Sequence, residues 1–464
     1  MPGYLLTALA VALSVLSGGP SFALEPTLVE SGERIWSSVQ GDAQGNRSVS
    51  FNGNLTGNSV IREKFVDVPA WIVSRDFDGD GVNEAVVQFN EGTLRILSQK
   101  DGRVRTMAAS RNLAPGSAPV VLASIGGEPT GGLVGMDDKG NLVSIDFSTG
   151  RQRRLAGGFS TLSHPLAADL DKDGEKEVAA VSKEGFLIVV KGRAQTRSDK
   201  AVELLPDTRI TMADMDGDGN IEILALSKPA MDALSGRPGD GYNAHGVAVF
   251  TWNGRSLRLK GDFELPDGQV FQTLTPFVAG TKEDADPLLL LTVAEEKKGT
   301  QIRSYLCSGG RVREIRKGPM IGEATWINIL GSSPMGSGDK VFLLAATIFE
   351  DDKGDLELYR MDLAQTRITL GSVISTHPPG SRLVEDSLIG DMNGDGEMEL
   401  LAPGTGRSNL MIFSLDRNRL KAKEIFNSSG KISTNLCPGD FNGDGLSDVI
   451  FGLDDGTLVI LLGE

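Results

Sequence analysis

The sequence predicts an all-β protein of eight consecutive four-stranded antiparallel units closed into a β-propeller, with seven units as the alternative count. Three observations lead there. A nine-residue acidic loop recurs five times along the 464 residues, with first positions at Asp76, Asp169, Asp214, Asp391 and Asp440. Short runs of β-branched and large apolar residues, broken by Gly, Asn and Asp turns, flank each copy. The spacings between copies are 93, 45, 177 and 49 residues. A unit of 45 to 49 residues fits the short gaps; 93 is close to two units, and 177 holds three steps, one lengthened by an insertion.

The strands follow in order. In the first unit Trp71-Ile72-Val73 precedes the loop, and Ala85–Phe89, Thr93–Leu97 and Val104–Met107 follow it, giving strands A to D with the acidic loop between A and B. The second unit keeps this grammar without the acids. Its strands are Pro119–Leu122, Leu133–Gly135, Leu142–Ile145 and Arg151–Leu155, and Gly126-Gly127-Glu128 stands in the loop position. Val270–Lys317 and Ala324–Ser375 form the fifth and sixth units, with B strands Leu288–Val293 and Val341–Ile348. The last unit ends after strand C, Leu458–Leu461, and the run Ser59–Phe65 just before the first A strand can supply its missing strand. A lone four-stranded sheet cannot bury both faces, whereas radial stacking buries them and leaves only short edges.

The loop carries the chemistry. It has Asp or Asn at positions 1, 3 and 5, Gly at position 6 and an acid at position 9. Alternating oxygens in a tight turn converge on one centre, and a glycine permits the turn. Several carboxylates plus a backbone carbonyl from position 7 make a Ca²⁺ site. An EF-hand is excluded, because it needs a bidentate Glu at position 12, which here is Val87, Ala180, Ala225, Ala402 and Phe451.

In loop, strand context and period the chain resembles the FG-GAP/VCBS repeats of exported bacterial proteins and the integrin α-subunit propeller, from about Ser59 to the end. The resemblance implies about five Ca²⁺ ions. The first is held by Asp76, Asp78, Asp80, the Val82 carbonyl and Glu84, and the second by Asp169, Asp171, Asp173, Glu175 and Glu177. The third set is Asp214, Asp216, Asp218, Asn220 and Glu222, and the fourth Asp391, Asn393, Asp395, Glu397 and Glu399. The fifth is Asp440, Asn442, Asp444, Leu446 and Asp448, each position-7 residue acting through its backbone.

Composition narrows the function. With 46 Lys and Arg against 62 Asp and Glu the formal net charge is −16, which argues against nucleic acid and anionic lipid as partners. The loops' side-chain ligand positions hold 18 carboxylates, and five Ca²⁺ would bring the charge to −6. Two cysteines make neither a disulfide scaffold nor a four-thiolate zinc site. Cys307 and Cys437 fall three units apart, so both are expected free and buried. The apolar run Tyr4–Leu16, followed by Ser21 and Ala23, reads as a signal peptide over 1–23, although no Lys or Arg precedes it. A lead segment over 24–58 and the propeller over 59–464 follow, with no later apolar run long enough to span a bilayer.

No catalytic constellation is readable: His164, His245 and His377 lie in different units, without H-E-x-x-H or a nucleophile motif. The expected function is therefore an exported, non-enzymatic binding, adhesion or envelope-assembly scaffold, periplasmic or extracellular, monomeric or part of an envelope complex. A propeller-based polysaccharide lyase or other carbohydrate-active enzyme is the alternative. The partner, a protein or a glycan, is expected on the face opposite the calcium loops. There the B–C insertion between Ser227 and Gly246 and two D–A connections offer Arg111, Arg237, Tyr242, His245, His377 and Arg382.

Overall fold

The computed structural model describes residues 51–117, 120–122, 132–199, 202–204, 210–216, 218–229, 244–271, 277–279, 288–295, 298–308, 311–322, 324–334, 340–349, 354–362, 367–376, 387–395, 397–404, 407–416 and 419–464. Among them there is no α-helix, and so none long and apolar enough to cross a membrane. The signal-peptide expectation over 1–23 lies outside the described residues, as does the lead segment as far as residue 50.

Among the described residues β1 (Val60–Lys64) is the first strand, and antiparallel sheets then follow in order. Unit 1 is β2 (Pro69–Arg75), β3 (Glu84–Phe89), β4 (Leu94–Lys100) and β5 (Arg103–Ser110). Unit 2 is β6 (Val120–Leu122), β7 (Gly132–Met136), β8 (Asn141–Ile145) and β9 (Gln152–Gly157). Unit 3 is β10 (Leu166–Ala168), β11 (Glu177–Val181), β12 (Leu187–Lys191) and β13 (Ala194–Arg197). Unit 4 is β14 (Thr211–Ala213), β15 (Glu222–Pro229), β16 (Ala244–Trp252) and β17 (Leu257–Glu264).

Unit 5 has β18 (Gln269–Phe271), β19 (Phe277–Ala279), β20 (Leu288–Glu295), β21 (Gly299–Ser308) and β22 (Arg311–Lys317). Unit 6 is β23 (Ala324–Pro334), β24 (Lys340–Phe349), β25 (Gly354–Asp362) and β26 (Arg367–Thr376). Unit 7 is β27 (Leu388–Gly390), β28 (Glu399–Pro403), β29 (Asn409–Asp416) and β30 (Arg419–Asn427). Unit 8 is β31 (Cys437–Gly439), β32 (Asp448–Gly452) and β33 (Thr457–Leu461).

The N-terminal strand completes unit 8. β1 pairs antiparallel with β33 from Val60↔Leu461 to Lys64↔Thr457, giving the order β1-β33-β32-β31. Unit 5 departs from the expected pattern. Its A strand is split into β18 and β19, which pair with opposite ends of β20. A single pair, Ala244↔Phe271, then joins units 4 and 5 into one nine-stranded sheet.

Burial explains why the B and C strands read as continuous apolar runs instead of alternating ones. Successive side chains of a strand point to opposite faces, so a strand sandwiched between two neighbours needs apolar residues throughout. All six residues of β3 are buried. Ala85, Val87 and Phe89 enter a core with units 7 and 8, while Val86 enters the core shared with Leu133 and Val143 of unit 2. The same device links units 2 and 3 (Val134 with Val178), 3 and 4 (Val181 with Ile223), and 4 and 5 (Leu226 with Leu291). It continues between units 5 and 6 (Leu290 with Tyr359) and 6 and 7 (Leu358 with Leu400).

Units 8 and 1 are also joined by polar contacts. The Asn435 side chain accepts from Ile72 N–H at 2.9 Å and donates to Ile72 C=O at 2.8 Å, as a strand's backbone would. Ser74 Oγ donates to the Pro438 carbonyl at 2.8 Å.

Candidate metal-binding loops

Five A–B connections carry the acidic loop, and one set of backbone hydrogen bonds recurs in them. The N–H at position 2 donates to the closing acid in every copy. Phe77 to Glu84, Leu170 to Glu177, Met392 to Glu399 and Phe441 to Asp448 each span 2.8 Å, and Met215 to Glu222 spans 2.9 Å. The N–H at position 7 donates to the position-5 carboxylate: Val82 to Asp80, Glu175 to Asp173, Asn220 to Asp218, Glu397 to Asp395 and Leu446 to Asp444, all at 2.8–2.9 Å. These bonds hold one oxygen of each acid at the loop's rim.

Position 6 shows why glycine is required. Gly81, Gly174, Gly219 and Gly445 have φ between +81° and +90°, and each donates its N–H to the position-1 Asp at 2.7–2.9 Å. Position 4 has the same requirement, which the sequence reading did not single out. Gly79, Gly394 and Gly443 are left-handed there, and Lys172 adopts φ +62°. The signal was present, since four of the five copies have Gly at position 4.

Three loops bring the carboxylate oxygens of three acids within 4.8 Å of one another: Asp76, Asp78 and Glu84; Asp169, Asp171 and Glu177; and Asp214, Asp216 and Asp218. In the loops of units 7 and 8 a neutral Asn393 or Asn442 stands at position 3. The closing acids are buried, Glu84 being 2% exposed. Burial first, and then the neighbouring carboxylates, pushes Glu84, Glu399 and Asp448 each up to about 7, against the pull of the position-2 N–H. All the donors are oxygen and several are anionic, clustered around a turn with their outer faces already hydrogen-bonded. That set fits a hard divalent cation such as Ca²⁺.

The loops of units 3 and 4 differ. Lys191, at the end of β12, places Nζ 2.7 Å from Asp171 Oδ2, 2.5 Å from Asp173 Oδ2 and 3.2 Å from Glu177 Oε1. Lys260, on β17, places Nζ 2.6 Å from Asp216 Oδ2, 2.8 Å from Glu222 Oε1 and 3.6 Å from Asp218 Oδ2. The carboxylates hold both ammonium groups above the ordinary lysine range, for Lys260 against partial burial. Sequence reading missed both lysines, because they lie 20 residues from Asp171 and 38 from Glu222.

The loops are also tied to their surroundings. Asn83 N–H donates to the Asp440 carbonyl at 2.7 Å, and Asp440 N–H donates to Asn83 Oδ1 at 3.0 Å, so the loops of units 1 and 8 brace each other. Residues 51–58 run between the loops of units 7 and 8. Leu55 N–H donates to the Met392 carbonyl, Asn52 Nδ2 to the Gly445 carbonyl, and the Leu55 side chain is 1% exposed in the core.

The remaining residues singled out from the sequence are less gathered. Arg111 is exposed just after β5. His245 lies in β16, partly buried, with Nδ1 3.1 Å from the Gln269 carbonyl oxygen. His164 packs edge-on against Trp71, ring centroids 5.2 Å apart. Arg237, Tyr242, His377 and Arg382 lie outside the described residues. Cys307 and Cys437 are free and buried, as the sequence predicts.

An FG-GAP-like repeat family model matches residues 391–451. No curated protein matches the chain in sequence. Among solved structures, Saccharomyces cerevisiae Sqt1 is similar with a TM-score of 0.55 at 10% identity, over 90% of this chain and 99% of that one. The C-terminal WD40 domain of Sif2 gives 0.46 at 12% identity, over 87% of this chain and 99% of that one. BamB from Moraxella catarrhalis gives 0.46 at 11% identity, over 86% and 97%. The family match spans two of the five acidic loops, those of units 7 and 8, and the other three share their hydrogen bonds and their four-stranded setting: the chain is similar to FG-GAP-repeat proteins of β-propeller fold.

Proposed function

We propose that the chain is a calcium-stabilised, eight-bladed propeller that serves outside the cytoplasm as a non-enzymatic binding scaffold. The observation that carries the reading is the loop of unit 1. Asp76, Asp78 and Glu84 are drawn within 4.8 Å although they repel one another, a repulsion that a bound cation would relieve. Closure of eight blades into a ring is supported by the core and the Asn435–Ile72 pairing that run from unit 8 back to unit 1, and by β1 filling the last sheet. The apolar run Tyr4–Leu16 supports export, and calcium at the concentrations found outside cells would suit sites of extracellular type.

The two ends of such a ring do different work. One carries the acidic loops, whose oxygens are committed to backbone and cation. The other carries the B–C and D–A connections, including the insertion that leaves β15 after Pro229 and returns at Ala244, and Arg111 is exposed there. That end is the partner-binding face of our reading, for a protein or a glycan, with the chain monomeric or seated in an envelope assembly.

Two measurements test this. Calcium titration with a parallel melt in EDTA should show stoichiometric binding and a lower melting temperature without the ion; an unchanged melt removes calcium from the reading. Incubation with uronate polymers, followed at 235 nm, should give no rise in absorbance; a calcium-dependent rise replaces the scaffold with a lyase.

A further inference from the structure

The five loops are not equivalent, and the difference comes from strands outside the loop. We propose that Lys191 and Lys260 are built-in cations that take the calcium position in units 3 and 4, so that these two loops hold their turn without metal. The inference rests on reading the loops of units 1, 7 and 8 as calcium sites.

The geometry is that of a filled site. An ammonium has three N–H donors, and each lysine meets three carboxylate-bearing residues of its loop. Lys191 meets Asp171, Asp173 and Glu177, and Lys260 meets Asp216, Asp218 and Glu222, which are the loop's positions 3, 5 and 9 in both cases. Both lysines reach in from partly buried stems, with side chains 26% and 20% exposed. Calcium entering either loop would have to expel an ammonium already paired with the same oxygens.

Register shows how each lysine arrives, and why unit 1 has none. In unit 3, Val178 faces Val190, which sets Lys191 across from the closing Glu177. One step beyond the corresponding pairs, Ala85↔Leu97 and Leu400↔Phe413, the residues are Ser98 and Ser414. In unit 4, Glu222 faces Thr251, and the cation comes instead from a β-bulge in β17. Val249 pairs with Gly261 and Phe250 with Leu259, leaving Lys260 unpaired and re-aimed toward the loop. Unit 1 has the same bulge, between the pairs Ile96↔Ala108 and Leu97↔Thr106, and its extra residue is Met107. Two different strand positions thus deliver the same charge to the same place.

The test copies the residues of unit 1 into the other two. Full-length wild type, K191S, K260M and the double variant are stripped with chelator, and bound calcium is measured by titration calorimetry and by metal analysis after dialysis. Wild type should bind no more than three ions, each single variant one more and the double variant two more. K191R/K260R, which keeps the charge, should match wild type. In EDTA the double variant should melt below wild type, and millimolar calcium should restore it. Five ions on wild type would overturn the inference and leave the calcium reading standing, as would a double variant that gains none while wild type still binds. No calcium on wild type but two ions on the double variant would keep the lysine inference and sink the reading of units 1, 7 and 8; none on either removes both.

Discussion

Replacing Glu84 with Gln tests the electrostatics of the unit 1 loop directly. In the folded, metal-free protein, burial and the Asp76, Asp78 and Asp80 carboxylates push the Glu84 carboxyl from 4.5 to about 7. At 1.36 kcal/mol per pH unit, ionised Glu84 therefore costs the fold about 3 kcal/mol at pH 8. The folded state binds the proton more tightly than the unfolded chain, so this cost is absent below pH 4.5, grows as pH rises and is complete above 7. Glutamine keeps an acceptor for the Phe77 N–H and carries no charge. In EDTA at pH 8, E84Q should be more stable than wild type by up to about 3 kcal/mol. With an unfolding entropy of about 2.1 cal/mol/K per residue over roughly 400 residues, that is about 3–4 °C in Tm. At pH 4.5 the difference should vanish. Calcium at 5 mM with a Kd of about 10⁻⁴–10⁻³ M adds about 1–2 kcal/mol to wild type through this site and nothing to E84Q, so the variant's advantage should shrink by that amount. Calorimetric melts at both pH values, with and without calcium, decide it. An E84Q protein that melts at or below wild type in EDTA at pH 8 refutes the electrostatic argument, and equal calcium-induced shifts in the two proteins refute a metal in this loop.

Three further outcomes follow from the same structure. Asn435→Ala removes two buried hydrogen bonds to Ile72 and leaves that residue's N–H and C=O unsatisfied, so denaturant unfolding should lose about 2–4 kcal/mol; a loss under 1 kcal/mol denies the pairing its role in joining units 8 and 1. Deleting residues 1–65 takes away β1 and bares the edge of β33, so the product should melt lower and self-associate by light scattering, and a monomer with an unchanged melt contradicts the latch. Cys307, pushed up to about 12 by burial and then by Glu222 and Asp216, and the fully buried Cys437 should both resist Ellman's reagent in the native protein, and both should react in denaturant without reductant. Fast labelling of either in the folded state counts against the packing described.

What the sequence made legible was what is local along the chain. The loop announces itself because positions 1, 3, 5, 6 and 9 are fixed by one turn, and the strands announce themselves because burial on both faces demands apolar runs such as Leu288–Leu291. The latch was legible for a topological reason: a unit that stops at Leu461 lacks one strand, and Ser59–Phe65 has the composition to supply it. The split A strand of unit 5 was not, since Gln269–Phe271 and Phe277–Ala279 are too short to carry a period and are defined only by their common partner β20. Nor were the strap at residues 51–58 and the two lysines.

The lysines show where the limit lies. Lys191 looks like the ordinary polar end of an apolar strand, and Lys260 like one of several charged residues along β17. Their meaning depends on register, and register changes by one residue wherever a bulge intervenes. Once the pairings are known, the same comparison across units becomes readable in the primary structure: Ser98, Lys191, Thr251 and Ser414 stand opposite closing acids, and Met107 and Lys260 occupy equivalent bulges. If the lysine proposal holds, a repeat protein keeps one type of acidic signature in each loop while a strand up to 38 residues away decides which loops are left for metal. On that proposal, counting signatures alone overstates the calcium such a chain binds, because some of the loops' 18 carboxylates are balanced by lysines already counted in the net charge of −16.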